Sequence, residues 1–335
     1  MAQPIGKVRV VITNRVFPEV LATFGGDFEL DTNPSTDPWG TDEWLQHIHS
    51  ADAVIAFMPD RIGENELVQC PRLKLISCAL KGYDNFDLQA CERRGVVVCI
   101  VEDLLTVPTA ELAVGLLIAV SRNLLRGDAL VRSGQFRGWR PILYGRGIQG
   151  ATVGLMGIGA VGQAIAMRLK GFGCSLIYHD QRRLPGKSER TLGVVWLQPE
   201  ELFARSDFLI LALPLTAQTM HCIDRNALVQ MKPGAYLINP ARGSLVDEAA
   251  VANALASGHL AGYAADVFEF EDWARPDRPL EIDGRLLTMA DRTVFTPHLG
   301  SAVATVRLHI ELQAAQNVRD FYSGKVPSGL VTGKR

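Results

Sequence analysis

At 335 residues the chain is long enough for two domains, each with a core of its own. Its 34 lysines and arginines stand against 36 aspartates and glutamates, a net charge of −2 that lacks the basic excess a nucleic-acid partner calls for. Hydrophobic residues at 47% and charged residues at 21% describe a folded globular protein rather than a disordered one. The longest apolar run, residues 112–120, is far too short to span a bilayer, and no charged-then-apolar leader precedes the first strand. Neither membrane insertion nor export is therefore expected. Six cysteines (Cys70, Cys78, Cys91, Cys99, Cys174 and Cys222) include no CxxC pair, and buried free thiols in a cytoplasmic protein are the expectation.

In chain order, apolar strands are predicted at residues 8–12, 53–57, 73–78 and 96–100, with polar helix-like or loop segments between them. A long helix follows, with Thr106 as N-cap, Pro108 in the first turn, Glu111 nearby and apolar residues through Leu125. A loop over 134–150 is rich in glycine and carries Phe136, Trp139 and Tyr144. Further strands are predicted at 151–156, 175–178, 207–213, 235–238, 263–268 and 293–295; the last four are short and nearly all apolar, as strands covered on both faces should be. A final helix, 303–322, can return to the first unit.

The stretch from Val153 to Asp180 carries the strongest chemical signal. An apolar strand runs into Gly157-Ile158-Gly159-Ala160-Val161-Gly162, then a helical stretch (Ala164, Ile165, Met167, Leu169), then a second strand, and Asp180 stands 18 residues after Gly162. Glycines let the backbone turn tightly and approach a pyrophosphate, and the helix N-terminus offers free N–H groups to its charge. The acidic residue accepts from the adenosine ribose hydroxyls. The cofactor read from this pattern is NAD; a 2′-phosphate would be repelled by Asp180, although Arg182 and Arg183 keep NADP open as the weaker alternative. The fold class is accordingly α/β: a Rossmann-type doubly wound parallel sheet plus a smaller flavodoxin-like α/β domain. Residues 1–103 and 299–335 are expected to form the smaller, substrate domain, and 104–298 the inserted NAD domain, with the active cleft between them.

Ligands in an open parallel sheet bind beyond the carboxyl ends of the strands. Arg242, Asp266, Glu271 and His298 all fall at such ends. A guanidinium clamps an anion with paired hydrogen bonds, an imidazole moves a proton, and a carboxylate fixes its tautomer. His47 and His49 form an HxH with no carboxylate or cysteine at ligand spacing, so no metal site is expected there.

The pieces Val153-Gly154-Leu155-Met156-Gly157-Ile158-Gly159, Asn239-Pro240-Ala241-Arg242-Gly243, Ala265-Asp266-Val267-Phe268-Glu269-Phe270-Glu271 and Thr296-Pro297-His298-Leu299-Gly300 resemble the D-isomer-specific 2-hydroxyacid dehydrogenases over essentially the whole chain. That resemblance implies a homodimer whose arm is the helix from Thr106 and the loop after it, about 106–150. It implies that Arg242 binds the substrate anion, that His298 is the acid/base and that Glu271 supports it. Gly157, Gly159, Ala160, Val161, Gly162 and Asp180 would hold the dinucleotide, with Leu213 and Pro214 on the adenosine side. Pro240, Ala241, Arg242, Asp266, His298, Gly300 and Ser301 would line the nicotinamide.

A narrower likeness concerns the substrate. Phe57-Met58-Pro59-Asp60-Arg61, Ser77-Cys78-Ala79-Leu80-Lys81-Gly82-Tyr83-Asp84-Asn85-Phe86-Asp87, Asp103-Leu104-Leu105-Thr106-Val107-Pro108-Thr109-Ala110-Glu111-Leu112 and Phe268-Glu269-Phe270-Glu271-Asp272-Trp273-Ala274 are similar to the phosphite (phosphonate) dehydrogenases. The likeness implies NAD-dependent oxidation of phosphite, with Leu80, Lys81 and Gly82 on the anion, Met58 walling the pocket, and Trp139 and Tyr144 closing it. A lysine facing Arg242 adds a second positive charge, suited to a small anion of higher charge density than a monocarboxylate. Three alternatives stay open: a D-2-hydroxyacid dehydrogenase or reductase of glyoxylate, hydroxypyruvate or lactate type, a catalytically silent NAD(H)-sensing scaffold, and a formate-oxidising enzyme. Asp180 yields a first prediction: Asp180→Ala improves use of NADP relative to NAD in steady-state assays, and an unmodified chain that already prefers NADP removes Asp180 from its role.

Overall fold

The computed structural model describes residues 6–101, 103–273 and 275–332. They form two compact units, one made of residues up to Leu105 with Trp273–Pro276 and the residues from Ala302 on, the other of Thr106–Asp272 and Asp277–Ser301. The boundaries lie two or three residues beyond the expected 103 and 298. At the second one, Gly300 donates to Asp266 at 2.8 Å and so stays with the larger unit.

The smaller unit holds a parallel five-stranded sheet in the order β2-β1-β3-β4-β5, the flavodoxin-like order. Its strands are β1 (Val8–Ile12), β2 (Phe28–Thr32), β3 (Ala53–Ala56), β4 (Leu75–Cys78) and β5 (Val97–Cys99). Strands β3 and β4 are buried at every residue because apolar clusters cover both faces. Strand β2 went unpredicted, and its sequence explains why: Phe-Glu-Leu-Asp-Thr is an edge strand without an apolar run. On one face lies the helix Ala304–Tyr322, whose Ile310, Ala314, Ala315 and Val318 are fully buried, and Ser77 Oγ donates to the Ala314 carbonyl at 2.8 Å. Beyond it Thr332 Oγ1 accepts from the Val98 amide at 2.7 Å, so residues from both ends of the sequence complete one sheet.

A buried carboxylate knots the strand ends of this unit. Asp60, 5% exposed, accepts from the Thr13 hydroxyl, from the Phe57 amide at 2.6 Å and from the Trp44 indole at 2.8 Å. Burial pushes its carboxyl up to about 6, against the pull of those three hydrogen bonds. The knot fixes the turn after β3 that carries Met58, whose carbonyl accepts from Asn85 Nδ2 at 2.7 Å.

The larger unit has seven parallel strands in the order β12-β11-β10-β9-β6-β7-β8. They are β6 (Thr152–Met156), β7 (Ser175–His179), β8 (Val194–Trp196), β9 (Phe208–Leu211), β10 (Ala235–Asn239), β11 (Leu260–Ala265) and β12 (Thr293–Phe295). Counted within the unit, the first strand is central, the second and third lie to one side and the rest to the other, which is the doubly wound dinucleotide-binding order. The sequence reading missed β8, three residues long with an exposed centre.

The long helix departs from expectation at both ends. It begins at Thr106 itself, whose buried Oγ1 has no hydrogen-bond partner among the described residues and so caps none of their amides. It stops at Ser121; Asn123 takes a left-handed φ of 53°, and a second helix, Leu124–Arg132, leaves at 64°. Asparagine tolerates that conformation, so it ends a helix that its apolar neighbours would continue. Among the described residues no single helix is long and apolar enough to cross a membrane, while this bent pair passes that test only jointly, and the first half of it is largely buried. The loop returns where Arg146 donates to the Ser121 carbonyl at 2.9 Å and its guanidinium pairs with Asp207 at 2.8 Å. All six cysteines are free; four are buried, but Cys174 and Cys222 are only half-buried.

Replacing Asp60 by alanine strands the Thr13, Trp44 and Phe57 donors in an apolar interior, at about 1–3 kcal/mol each. The urea midpoint of the smaller unit should fall clearly, and an unchanged midpoint would refute the knot.

Candidate active site

At the end of β6 the chain enters the glycine turn. Gly157 has φ +97°, and a Cβ there would overlap the Ala212 carbonyl; a Cβ on Gly162 would overlap the Gly157 carbonyl. Both positions thus require glycine for turn and packing. Gly159 is different: among the described residues no atom beyond its chain neighbours and its helix's own backbone lies within 4 Å of where its Cβ would be, so its backbone is open to a close-approaching ligand. Ala160 is exposed and Val161 half-buried at the start of the helix Ala160–Leu169, where the unpaired amides gather. Asp180 follows β7 and reaches back to this turn, its Oδ2 accepting from the Ile158 amide at 2.9 Å and its Oδ1 from the Arg182 amide at 3.1 Å. Of the two nearby arginines, Arg183 is engaged: it binds Glu189 through two nitrogens at 2.9 and 3.0 Å and lies over the Trp196 ring. Leu213 and Pro214 follow β9, half-buried and exposed respectively. These residues fit a dinucleotide: a cradle without side chains, a helix N-terminus and a carboxylate at its edge.

After β10, Asn239 shapes the turn that presents Arg242. Its Nδ2 donates to the Arg242 carbonyl at 2.8 Å and its Oδ1 accepts from the Ala241 amide at 3.1 Å. Pro240 is buried, and Ala241 and Arg242 are half-buried. The next residue allows no side chain, since a Cβ on Gly243 would run into the Phe268 carbonyl and the Glu269 amide. The Arg242 loop therefore lies directly on the segment that leads to Glu271.

After β12 the turn 296–300 is held by Asp266. Its carboxylate accepts from the Thr296 hydroxyl at 2.6 Å, the Leu299 amide at 2.7 Å and the Gly300 amide at 2.8 Å, and its carbonyl accepts from the His298 amide at 2.8 Å. Burial pushes this carboxyl up, while those donors and the neighbouring His298 pull it down. The turn sets His298 at φ +55° with Nδ1 2.8 Å from Glu271 Oε2. Glu271 is itself fixed, since Oε1 accepts from the Phe268 amide at 2.7 Å. A proton on Nδ1 toward Glu271 leaves Nε2, which has no hydrogen bond to a described residue, as the nitrogen that can accept. Gly300 is buried and Ser301 half-buried where the turn ends.

In the smaller unit, Leu80 is buried and its carbonyl accepts from the Val101 amide at 3.0 Å. Lys81 next to it has a side chain 37% exposed, with Nζ 3.8 Å from Asp103 Oδ1, a loose pair. Gly82 and Met58 are half-buried. Sequence reasoning missed Arg307 in this unit: its Nη1 donates to the Ala79 carbonyl at 3.4 Å and the guanidinium lies over the Phe57 ring, beside the Lys81 turn. The sequence signal for it is an i,i+4 spacing to Glu311 on the final helix. Trp139 and Tyr144 stand out from the larger unit, 83% and 76% exposed. His47, which has no carboxylate at ligand spacing in the sequence, meets one through the fold: Asp31 Oδ2, brought from β2, lies 2.9 Å from Nδ1, and Trp39 stacks on the ring. Among the described residues no group of three or more His, Cys, Asp or Glu side chains is placed to hold a metal ion.

A dinucleotide cradle with an arginine, a carboxylate and a histidine at its strand ends defines a class, the dehydrogenases that exchange hydride with a nicotinamide. The model of the D-isomer specific 2-hydroxyacid dehydrogenase NAD-binding domain matches residues 114–300. A glyoxylate reductase of Thermococcus litoralis is 37% identical over 310 residues, 91% of this chain and 90% of that one. The crystal structure of the TT0316 protein from Thermus thermophilus superposes with a TM-score of 0.88 at 34% identity, covering 97% of this chain and 100% of that one. An NADPH-dependent glyoxylate/hydroxypyruvate reductase from Sinorhizobium meliloti, solved with NADP and malonate, gives 0.82 at 28% identity over 97% of both chains. The chain belongs to the D-isomer specific 2-hydroxyacid dehydrogenase family and is an NAD-dependent oxidoreductase.

The close seat of Gly243 sets a prediction. Gly243→Ala must push the Arg242 loop off residues 268–269, costing about 1–3 kcal/mol; a variant with an unshifted melting temperature would show that the loop has slack.

Proposed function

We propose that the chain oxidises phosphite to phosphate with NAD+ as hydride acceptor. Phosphite, water and NAD+ give phosphate, NADH and a proton. Arg242 and Lys81 bind the phosphite oxygens and stabilise the charge that builds on them. His298 Nε2 takes the proton of the attacking water, and Glu271 holds the ring in the tautomer that makes this possible. NAD+ supplies an electrophilic carbon for the hydride leaving phosphorus; Gly157, Gly159, Gly162 and Asp180 would hold its adenosine and pyrophosphate end, and Asp266 and Ser301 its nicotinamide end. The observation that carries the reading is Lys81, a half-exposed ammonium whose ion pair among the described residues is a loose one to the exposed Asp103, in a turn whose neighbours resemble the phosphite enzymes.

The named relatives favour a second reading, reduction of glyoxylate or a related 2-oxo acid, and on similarity alone it is the better supported. There Arg242 would clamp a carboxylate and His298 would donate a proton to the carbonyl oxygen. The two readings share every residue of the larger unit and part at Lys81.

The same proposal takes the chain as a cytoplasmic homodimer. Leu124, Leu125, Val131, Phe136, Trp139 and Ile142 support self-association, since they leave an unusual density of large apolar side chains exposed on one bent arm.

Purified protein mixed with NAD+ and phosphite should raise the absorbance of the reduced cofactor, while D-glycerate and D-lactate should not. Turnover with the hydroxy acids alone would give the second reading. Lys81→Ala should raise the phosphite KM, and His298→Ala should cut turnover by about a hundredfold or more. Near-normal turnover of the histidine variant would take His298 out of the proton path.

A further inference from the structure

Beside the residues assigned above, the larger unit buries a second set of titratable side chains. Glu248 and Glu269 are 4% and 7% exposed and exchange hydrogen bonds: the Glu248 amide donates to Glu269 Oε1 at 3.1 Å, and the Glu269 amide to Glu248 Oε1 at 2.8 Å. Glu269 Oε2 lies 2.8 Å from His221 Nε2. His221 has a left-handed φ of 50°, and its amide donates to the Ser244 carbonyl at 2.8 Å. Burial pushes the Glu248 carboxyl up to about 7, with the negative charges of Glu269 and Asp283 adding to the rise and amide hydrogen bonds from the same two residues opposing it.

These contacts converge on one short turn, Glu269–Glu271. Glu271 grips His298, Glu269 grips His221 and Glu248, and the adjacent Asp272 accepts from the Ser244 amide at 2.6 Å. Ser244 stands two residues after Arg242, and Gly243 between them lies flat against residues 268–269. Each of two neighbouring carboxylates on this turn thus holds a histidine in a strained backbone, and only one of those histidines has a proposed chemical task.

We propose that Glu269, through His221 and Glu248, is a positioning residue for the reaction: it locks the turn carrying Glu271 to the loop carrying Arg242. The anion-binding guanidinium and the proton-handling pair then keep one spacing. The proposal rests on the reading that Arg242 and the Glu271–His298 pair act on the bound anion, whichever anion that is. Reacting groups displaced by 1 Å can lose about a hundredfold in rate, so a lock of this kind has kinetic weight.

The test compares His221→Ala, which removes the ring contact to Glu269, with His221→Gln, which keeps an N–H donor there. With phosphite, or with a D-2-hydroxy acid if that is the substrate, the alanine variant should raise the anion KM and lower kcat/KM by about tenfold or more. Its KM for NAD+ should stay put, and the glutamine variant should remain within about twofold of the wild type. Amide hydrogen exchange reads the lock with no substrate present: protection over 242–246 and 268–272 should fall together in the alanine variant and return in the glutamine one. Exchange that is unchanged, or equally lost in both variants, overturns the proposal. So does exchange that falls while the anion kinetics do not move. A wild-type chain inactive with every anion offered overturns the functional reading instead, and leaves exchange to judge the lock.

Discussion

The carboxylate of Asp266 takes the Thr296 hydroxyl and the Leu299 and Gly300 amides, and its carbonyl takes the His298 amide. A turn tied so often to one buried residue cannot relax, and His298 stays in a left-handed backbone that costs a free imidazole-bearing residue about 1–2 kcal/mol. That constraint aims the ring at Glu271, whose other oxygen is held by the Phe268 amide. The Glu271–His298 pair is therefore held by turns pinned at the ends of β11 and β12, and both proposed readings of the substrate would depend on it equally.

Much of this was legible in the residues. Runs such as Phe208–Leu211 and residues 235–238 are nearly all apolar because both faces of the sheet are covered, so the larger unit announces most of its strands. The glycine turn was legible for a different reason: three glycines, a helix and an acid must stand in fixed register to admit a pyrophosphate. The failures are as physical. Phe28–Thr32 is half-exposed at a sheet edge and leaves no apolar run, and Asn123 breaks a helix through a backbone angle rather than through composition. Thr106 had the chemistry of an N-cap but lies one residue inside the helix. Asp31 beside His47, Glu269 beside His221 and Arg307 beside the Lys81 turn are meetings of residues far apart in sequence, which no local pattern encodes.

Charge density separates the candidate substrates. A carboxylate spreads one charge over two oxygens and is well served by a single guanidinium with backbone amides around it. Phosphite near neutrality approaches two charges on three oxygens, and a further ammonium then offsets a real desolvation cost. Lys81 has the exposure of a group able to turn toward a ligand, with a partner at 3.8 Å that would hold it only weakly.

The helix Ala304–Tyr322 covers one face of β3 and β4, yet it lies at the far end of the sequence from both strands. During synthesis the strands of the smaller unit emerge first and must wait, one side bare, while the whole larger unit is made and can fold. Only when the last turns of that helix leave the ribosome do Ile310, Ala314 and Val318 arrive to close the sheet. The order of translation thus makes the smaller unit the late folder and its uncovered valines and isoleucines the surface at risk of aggregation in the meantime.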